Sequence, residues 1–473
     1  MVRIVTRLLH YDESDNNFTI WDQKQLETLY ACRVEPASAD EVSKVLQVLV
    51  NSWCKFAVRC GGHSRYPDDS VSIGGVTIDL GLMNTTIVSD ERTTARVGGG
   101  ALSRQVFAAL DPYGLAYIGG RVGQVGMGGF TIGGGTSVLA AKYGWALDNV
   151  LEYEVSQLIL ASEILCLPYK VVLANSTIVT ASENSHADLY YALRGGGNNF
   201  GIVTSFNVNV FPQGPVYTGS RSFADNQTNR FFEEAEKIFT LEDSVDTNVG
   251  FEYRYTYSGQ EGWTMSSTQR YAEPVMNPAV FDALNSVPAL GNLTGAINTL
   301  ASSTSLGGPL GTTRNVFASL THYPSIELSK EGIAILKEMT EKGNLTGLNP
   351  QLISYSIPTA TMEMSRTRGG NALGLDVEGH LIINLLSLTW LDRNMDSAGY
   401  AFADSFISEF REAAEKFDVF HPYIYINYAN KGQDVFGGYG EENRQRLIEI
   451  SKAVDPNGVF TSSGLWTGFF KVR

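Results

Sequence analysis

The sequence predicts an α+β chain in two parts, a glycine-rich α+β region followed by an antiparallel sheet covered by helices. Three observations carry this. Short strands alternate with single helices before residue 110, glycine then fills nine of the seventeen positions 119–135, and from about residue 216 long amphipathic helices interleave with strands. At 473 residues the chain has room for about two to four domains of ~150 residues.

In order, ACRV (31–34) reads as a strand. Ser38 and Glu41 form a capping box ahead of a helix with Val42, Val45, Leu46 and Leu49 on one face. KFAVR (55–59) closes a βαβ unit, and VTIDL (76–80) and TARVG (94–98) continue the strands before a helix over about 101–110. The stretch CGGHSRYPDD (60–69) leaves the carboxyl end of KFAVR, a place where α/β folds bind ligands. His63, behind two glycines, reads there either as a structural hydrogen-bonder or as a catalytic or ligand-binding group. In GGRVGQVGMGGFTIGGG (119–135) glycine permits positive φ and brings backbone N–H groups close to an anion, with a set of tight turns as the alternative. The usual fingerprints fail: Thr131 stands where GxGxxG from Gly126 requires glycine, and there is no P-loop GK pair, HExxH or GxSxG. A Rossmann dehydrogenase, P-loop enzyme, zincin or serine hydrolase is thereby unsupported.

LRGGGNNFGIVTSFNVNVFPQGP (193–215) ends a helix at three glycines and starts a strand in which Phe206, Val208 and Val210 alternate with Asn207 and Asn209. Pro212, Gly214 and Pro215 mark a boundary. Beyond it come helices such as RFFEEAEKIF and AFADSFISEFREAAEKF and strands such as FEYRYTY and HLIINLLSLTW. The chain closes with YIYINYAN (423–430), a helix RQRLIEISKAV stopped by Asp455 and Pro456, and an aromatic tail.

With 35 basic and 50 acidic residues, a net charge of -15 and no basic run, nucleic acid and acidic membrane surfaces are poor partners. No stretch of 18 apolar residues occurs, which excludes a spanning helix. The N-terminus lacks the apolar run of a secretory signal, so the expected location is secreted if the start is truncated and cytoplasmic otherwise. Sequons at Asn17, Asn84, Asn175, Asn226, Asn292 and Asn344 lean toward secretion. The cysteines Cys32, Cys54, Cys60 and Cys166 have no CxxC spacing, which argues against zinc, and Cys32 with Cys54 is a candidate disulfide.

Taken in order, RCGGHS, VGMGGFTIGGG, KYGWALDNVLEYEV, LRGGGNNFGIVT and YINYAN with VDPNGVF resemble the FAD-linked oxidases of the berberine bridge enzyme-like group, in the vanillyl-alcohol oxidase superfamily and in its fungal wording. The resemblance covers almost the whole chain. It implies an FAD-binding domain over 25–213, a substrate domain with an antiparallel sheet over 214–420, and a segment 421–473 that returns to the FAD domain. It implies covalent flavin at His63, with Arg59, Cys60, Gly61, Gly62 and Ser64 around it. Gly126, Gly128, Gly129, Gly133, Gly134 and Gly135 would then serve the pyrophosphate, with Gly201 and Val203 also on the cofactor. Val122 stands where many members carry a second flavin-linking cysteine, so one covalent link is expected.

Val125 matches a position that gates oxygen, where valine implies an oxidase. Tyr428 matches the motif tyrosine that acts as base, and Tyr425 and Asn427 line the flavin. A tyrosine of pKa about 10 needs a nearby cation or donor to act as a base near neutral pH, and the sequence does not identify one. Arg65 and Tyr66, beyond the flavin histidine, and Thr136, where many plant members have tyrosine, fall on the substrate side. The family reads from EYEV directly into VLANSTIVTA, so SQLILASEILCLPYKV (156–171) stands as a retained intron translated in frame or a genuine loop.

The expected reaction passes a hydride from a sugar, alcohol or secondary metabolite to flavin N5, then electrons to O2, giving H2O2, in a monomer acting on a small molecule. Two alternatives stand beside it: a flavin-scaffolded isomerase or cyclase without net oxidation, and a metabolite-binding relative that has lost turnover.

Overall fold

A computed structural model describes residues 9–10, 18–157, 177–242, 246–259, 262–304, 307–343, 347–376 and 379–473. Cys166, the sequons at Asn17, Asn175 and Asn344, and residues 158–171 of the extra segment lie outside them. The strands on either side of that segment, Val150–Gln157 and Thr177–Ser182, pair antiparallel from Gln157 opposite Thr177 to Glu152 opposite Ser182.

Helix Ala39–Asn51 forms as its sequence requires. Ser38 Oγ accepts from Glu41 N, and Val42, Val45, Leu46 and Leu49 are buried against the first sheet. That sheet runs Leu9–His10, Cys32–Val34, Val76–Asp79, Phe56–Arg59. Cys32–Val34 and Phe56–Arg59 are therefore not neighbours, as a simple βαβ reading has it, because Val76–Asp79 lies between them and is parallel to both.

A second correction concerns Thr94–Gly98, which belongs to a separate sheet ordered Thr86–Val88, Thr94–Gly98, Ile202–Asn209, Val150–Gln157, Thr177–Ser182. Glycines let the two layers meet at this crossing. A Cβ on Gly100 would lie 1.8 Å from Leu80 O, and one on Gly98 2.1 Å from Met83 O. Among the described residues Cys32, Cys54 and Cys60 carry free thiols, so Cys32 and Cys54 are not bonded. Cys54 is exposed, and its Sγ donates to Ser52 O at 3.6 Å.

The third large layer is an eight-stranded sheet ordered Thr294–Asn298, Val216–Ala224, Gly262–Tyr271, Val249–Ser258, Asn349–Ile357, Leu381–Trp390, Arg314–His322, Phe420–His421. Its neighbouring strands all run antiparallel. Helices Thr228–Phe239, Ile326–Lys342 and Asp396–Lys416 cover one face, packing Phe231, Phe232, Leu336 and Phe406 with Tyr253, Tyr255, Leu320 and Leu386. The other face supplies Tyr355, Ile357, Leu381 and Ile383 to the core that holds Phe130, Trp145 and Tyr425. A buried latch joins the chain start to this sheet. Asp22 Oδ2 accepts from Lys24 Nζ at 2.9 Å and from Asn315 N and Nδ2 at 2.8 and 2.9 Å, while Lys24 Nζ also donates to Asn315 O at 2.6 Å. No helix among the described residues is long and apolar enough to cross a membrane.

Two sheet histidines give a pH prediction. Burial pushes both His322 and His421 down to about 4, whereas an unfolded histidine titrates near ~6.5. Between those values the unfolded chain binds more protons, so this contribution to stability is full above ~6.5 and is lost as pH falls toward 4. The urea midpoint is expected to fall across that window, and less steeply in His322→Asn. Equal slopes in wild type and variant would contradict the assignment.

Candidate active site

Two glycine loops meet backbone to backbone beside His63. A Cβ on Gly61 would lie 2.5 Å from Gly126 N, and one on Gly126 2.3 Å from Gly61 N and 2.4 Å from Cys60 Sγ. Gly62 holds φ +65°, a left-handed turn that glycine adopts without strain. Gly128 N donates to Cys60 Sγ at 3.4 Å, and burial pushes the Cys60 thiol up to about 11, so it stays protonated.

The His63 ring stacks on Trp21, with centroids 4.0 Å apart and planes 11° from parallel. Burial, reinforced by the Arg65 cation, pushes His63 down to about 4, which leaves a neutral imidazole with a free nitrogen lone pair at neutral pH. The loop is clamped. Ser64 donates its hydroxyl to Asp69, whose carboxylate also accepts from Phe469 N at 2.7 Å, and Gln25 Nε2 donates to Ser64 O at 2.5 Å. Arg59 donates to Asp79 and to Thr19 O at 2.8 Å, and its Nε lies against Gly62, where a Cβ would approach it to 3.0 Å.

The second loop caps the short helix Met127–Ile132 and turns through Gly133, Gly134 and Gly135. Tyr425 and Asn427 brace this turn. Tyr425 Oη accepts from Gly135 N at 3.1 Å, Thr136 N at 3.3 Å and Asn427 Nδ2 at 3.0 Å, and a Cβ on Gly133 would lie 2.3 Å from Asn427 Oδ1. Gly129, by contrast, faces open space. Val125 is fixed by its backbone, with N donating to Val122 O at 3.1 Å and O accepting from Ser103 N at 2.9 Å. Gly201 holds φ +143°, and a Cβ on Gly99 would lie 2.4 Å from the carbonyl of buried Val203. The buried donors Trp145 Nε1 and Asn198 Nδ2 have no hydrogen-bond partner among the described residues. Two glycine loops, orphaned buried donors and a neutral histidine together fit a flat, phosphate-bearing cofactor such as FAD.

Tyr428 answers the question that the sequence left open. Arg121 Nη2 donates to Tyr428 Oη at 2.7 Å. Arg121 Nε pairs with Glu252 Oε2 at 3.2 Å, and the guanidinium lies over the Tyr355 ring at 4.3 Å. Burial works against the Arg121 charge, but Tyr428 and Glu252 outweigh it and hold the group above its usual range. Burial likewise opposes the Glu252 charge, but Arg121, Arg270 and Arg254 bring the carboxyl down to about 2. The Tyr428 ring sits edge-on to Tyr425 at 4.7 Å and to Tyr355 and Phe317 at 6.0 Å. Phe317 in turn stands 5.6 Å from Trp21, so aromatic rings run from His63 to Tyr428.

Arg65 and Tyr66 are turned to support rather than to open space. Arg65 donates to Asn427 O at 3.1 Å and Ala429 O at 3.4 Å, and Tyr66 donates to Asn430 and stacks near Tyr400 at 5.9 Å. Thr136 lines a cavity of about 40 Å³ together with Arg121, Glu252, Arg270 and Tyr355. The sequence reading missed Arg121, Glu252 and Arg270. The available signals were the lone arginine among nine glycines and the acid alternating with aromatics in FEYRYTY.

Residues 30–157 match the family model described as FAD binding domain. The chain is 31% identical over 478 residues to the FAD-dependent monooxygenase tpcD of Cochliobolus heterostrophus, spanning 96% of this chain and 88% of that relative. It shares its fold with CrmK, a flavoenzyme of caerulomycin biosynthesis, at a TM-score of 0.79 and 18% identity over 98% of this chain and 99% of that one. It also shares it with glucooligosaccharide oxidase from Acremonium strictum, which carries 6-S-cysteinyl, 8α-N1-histidyl FAD, at a TM-score of 0.74 and 18% identity over 98% and 96%.

Proposed function

The chain belongs to the berberine bridge enzyme-like FAD-linked oxidoreductases, enzymes of the vanillyl-alcohol oxidase fold, and from that premise we propose that it is an oxidase of small-molecule alcohols, sugars or secondary metabolites. The observation that carries this reading is the 2.7 Å hydrogen bond from Arg121 to Tyr428 Oη.

FAD, when bound, supplies two-electron oxidation of the substrate and reoxidation by O2. The remaining work falls to the chain. Tyr428 takes the substrate hydroxyl proton on Oη, and the Arg121 guanidinium offsets the charge that the oxygen carries in its deprotonated form. Glu252 holds Arg121 in place, so the cation does not swing away when the proton returns. Tyr355, Phe317 and Tyr425 box the phenol ring and exclude water from three sides. His63, neutral and held against Trp21, would hold the cofactor through one covalent link, and Tyr425 and Asn427 brace the glycine turn beside which it would lie. Val125 leaves the path by which O2 enters.

The test is anaerobic addition of sugars, alcohols and amines to the purified holoenzyme, followed by aerobic turnover with isotope-labelled O2. Bleaching of the flavin by one class, peroxide equal to product and no label in the product are expected. Label in the product would replace the oxidase reading with oxygen insertion, and product without bleaching would favour isomerisation.

A further inference from the structure

The wall of the site formed by the large sheet carries more positive charge than Tyr428 requires. On Val249–Ser258, Phe251, Tyr253 and Tyr255 pack toward the helices, so Glu252 and Arg254 alternate onto the other face. On the neighbouring strand Gly262–Tyr271, Thr268 stands opposite Glu252 and Arg270 opposite Gly250. A Cβ on Gly250 would approach Arg270 Cβ to 3.4 Å and Val138 O to 2.9 Å, so glycine at that position keeps room beside Arg270. Arg121 arrives from the glycine stretch. Three guanidiniums therefore surround one carboxylate.

Both Glu252 oxygens are taken, Oε2 by Arg121 at 3.2 Å and Oε1 by Arg254 at 2.6 Å. The Arg270 guanidinium has no hydrogen bond or ion pair among the described residues, although it lines the cavity with Arg121, Thr136, Glu252 and Tyr355. Burial pulls its guanidinium below the ordinary range, Glu252 works against burial, and Arg121 and Arg254 add to it. Three positive groups and one negative leave the cluster at +2. An arginine whose donors are unspent, beside a cavity and among like charges, is stabilised most by a planar oxyanion that accepts two of its N–H groups. The cavity, about 40 Å³, has room for about three water-sized groups, which suits a carboxylate.

We propose that Arg270 is a specificity-determining residue and that the substrate is a carboxylated molecule, its carboxylate seated on Arg270 and its reacting hydroxyl within reach of Tyr428. This rests on Tyr428 being the proton acceptor. The arrangement selects acidic hydroxy compounds over neutral sugars and amines, because Arg270 lines the cavity together with Arg121 and Tyr355, the two side chains that flank Tyr428.

The test uses the holoenzyme and three probe pairs: formate with formamide, acetate with acetamide, and benzoate with benzamide. Binding is read from the flavin absorption spectrum and from the melting temperature. At least one carboxylate is expected to bind about tenfold to a hundredfold tighter than its amide, the range of a charge-assisted hydrogen bond. Arg270→Gln should abolish that preference, and Arg270→Lys should retain part of it, which keeps the test available if the Gln variant does not fold. Tyr428→Phe should keep the carboxylate preference, so loss of catalysis there and loss of binding in Arg270→Gln report on separate claims. Equal binding of every amide and its carboxylate in wild type, or a preference that survives Arg270→Gln, overturns the proposal.

Discussion

Tyr428→Phe is expected to slow anaerobic flavin reduction by substrate about 10²- to 10⁴-fold, with flavin content unchanged. That range corresponds to about 3–5.5 kcal/mol of barrier, more than a packing change at an isosteric ring supplies. The variant keeps the ring among Tyr425, Tyr355 and Phe317 and removes only the oxygen that Arg121 bonds. Arg121 stays paired with Glu252, so the melting temperature should move little. The deficit should shrink as pH rises, because hydroxide or an ionised substrate then replaces the missing acceptor. Arg121→Met provides the companion result: Tyr428 keeps its oxygen but loses the cation beside it, so part of the rate is lost at neutral pH and recovered in alkaline solution. Stopped-flow reduction of fully flavinylated Phe variant at the wild-type rate would remove Tyr428 from the reaction.

His63→Ala is expected to convert the cofactor from fully covalent to fully extractable. Acid-precipitated wild type should stay yellow and give a single flavin-bearing peptide that contains residue 63, whereas the alanine variant should release its FAD into the supernatant. The geometry supports so sharp an outcome. His63 is neutral because desolvation and the Arg65 cation both disfavour its charge, its ring is fixed by Trp21, and Gly61 and Gly62 let its loop pack directly on the Gly126 backbone and on Ile20. Val122 stands where a second linking cysteine would be expected from the resemblance, so a single flavin-bearing peptide is the expected result. Free FAD recovered in full from wild type would defeat the assignment.

Short-range features of this molecule were legible in the sequence because their causes are local. The Ser38 cap, the buried stripe of helix Ala39–Asn51 and the alternation in Ile202–Asn209 depend on spacing alone, and the structure places each as the spacing requires. His63, Tyr425, Asn427 and Tyr428 stood out because they lie within ordered motif blocks. What escaped depends on register between distant strands. That Arg270 faces Gly250, or that Val76–Asp79 inserts between Cys32–Val34 and Phe56–Arg59, follows from pairings that no local pattern encodes. Arg121 escaped for a related reason. In a stretch of glycines a long side chain has no periodic face, and its direction is set by partners 131 and 307 residues away, Glu252 and Tyr428.

The latch of Asp22, Lys24 and Asn315 bears on how this enzyme can be remodelled. Composition changes near residue 213, which invites exchange of the substrate-binding part as a cassette for one from a relative. Such a graft would strand Asp22 and Lys24 as buried charges without Asn315, and it would divide a core in which Tyr355 and Ile383 pack with Phe130 and Tyr425. The two parts are separate in composition but not in stability. New specificity is therefore reached residue by residue on the sheet face around Gly250 and Arg270, and a recombination library crossing near residue 213 would be dominated by chains that do not fold.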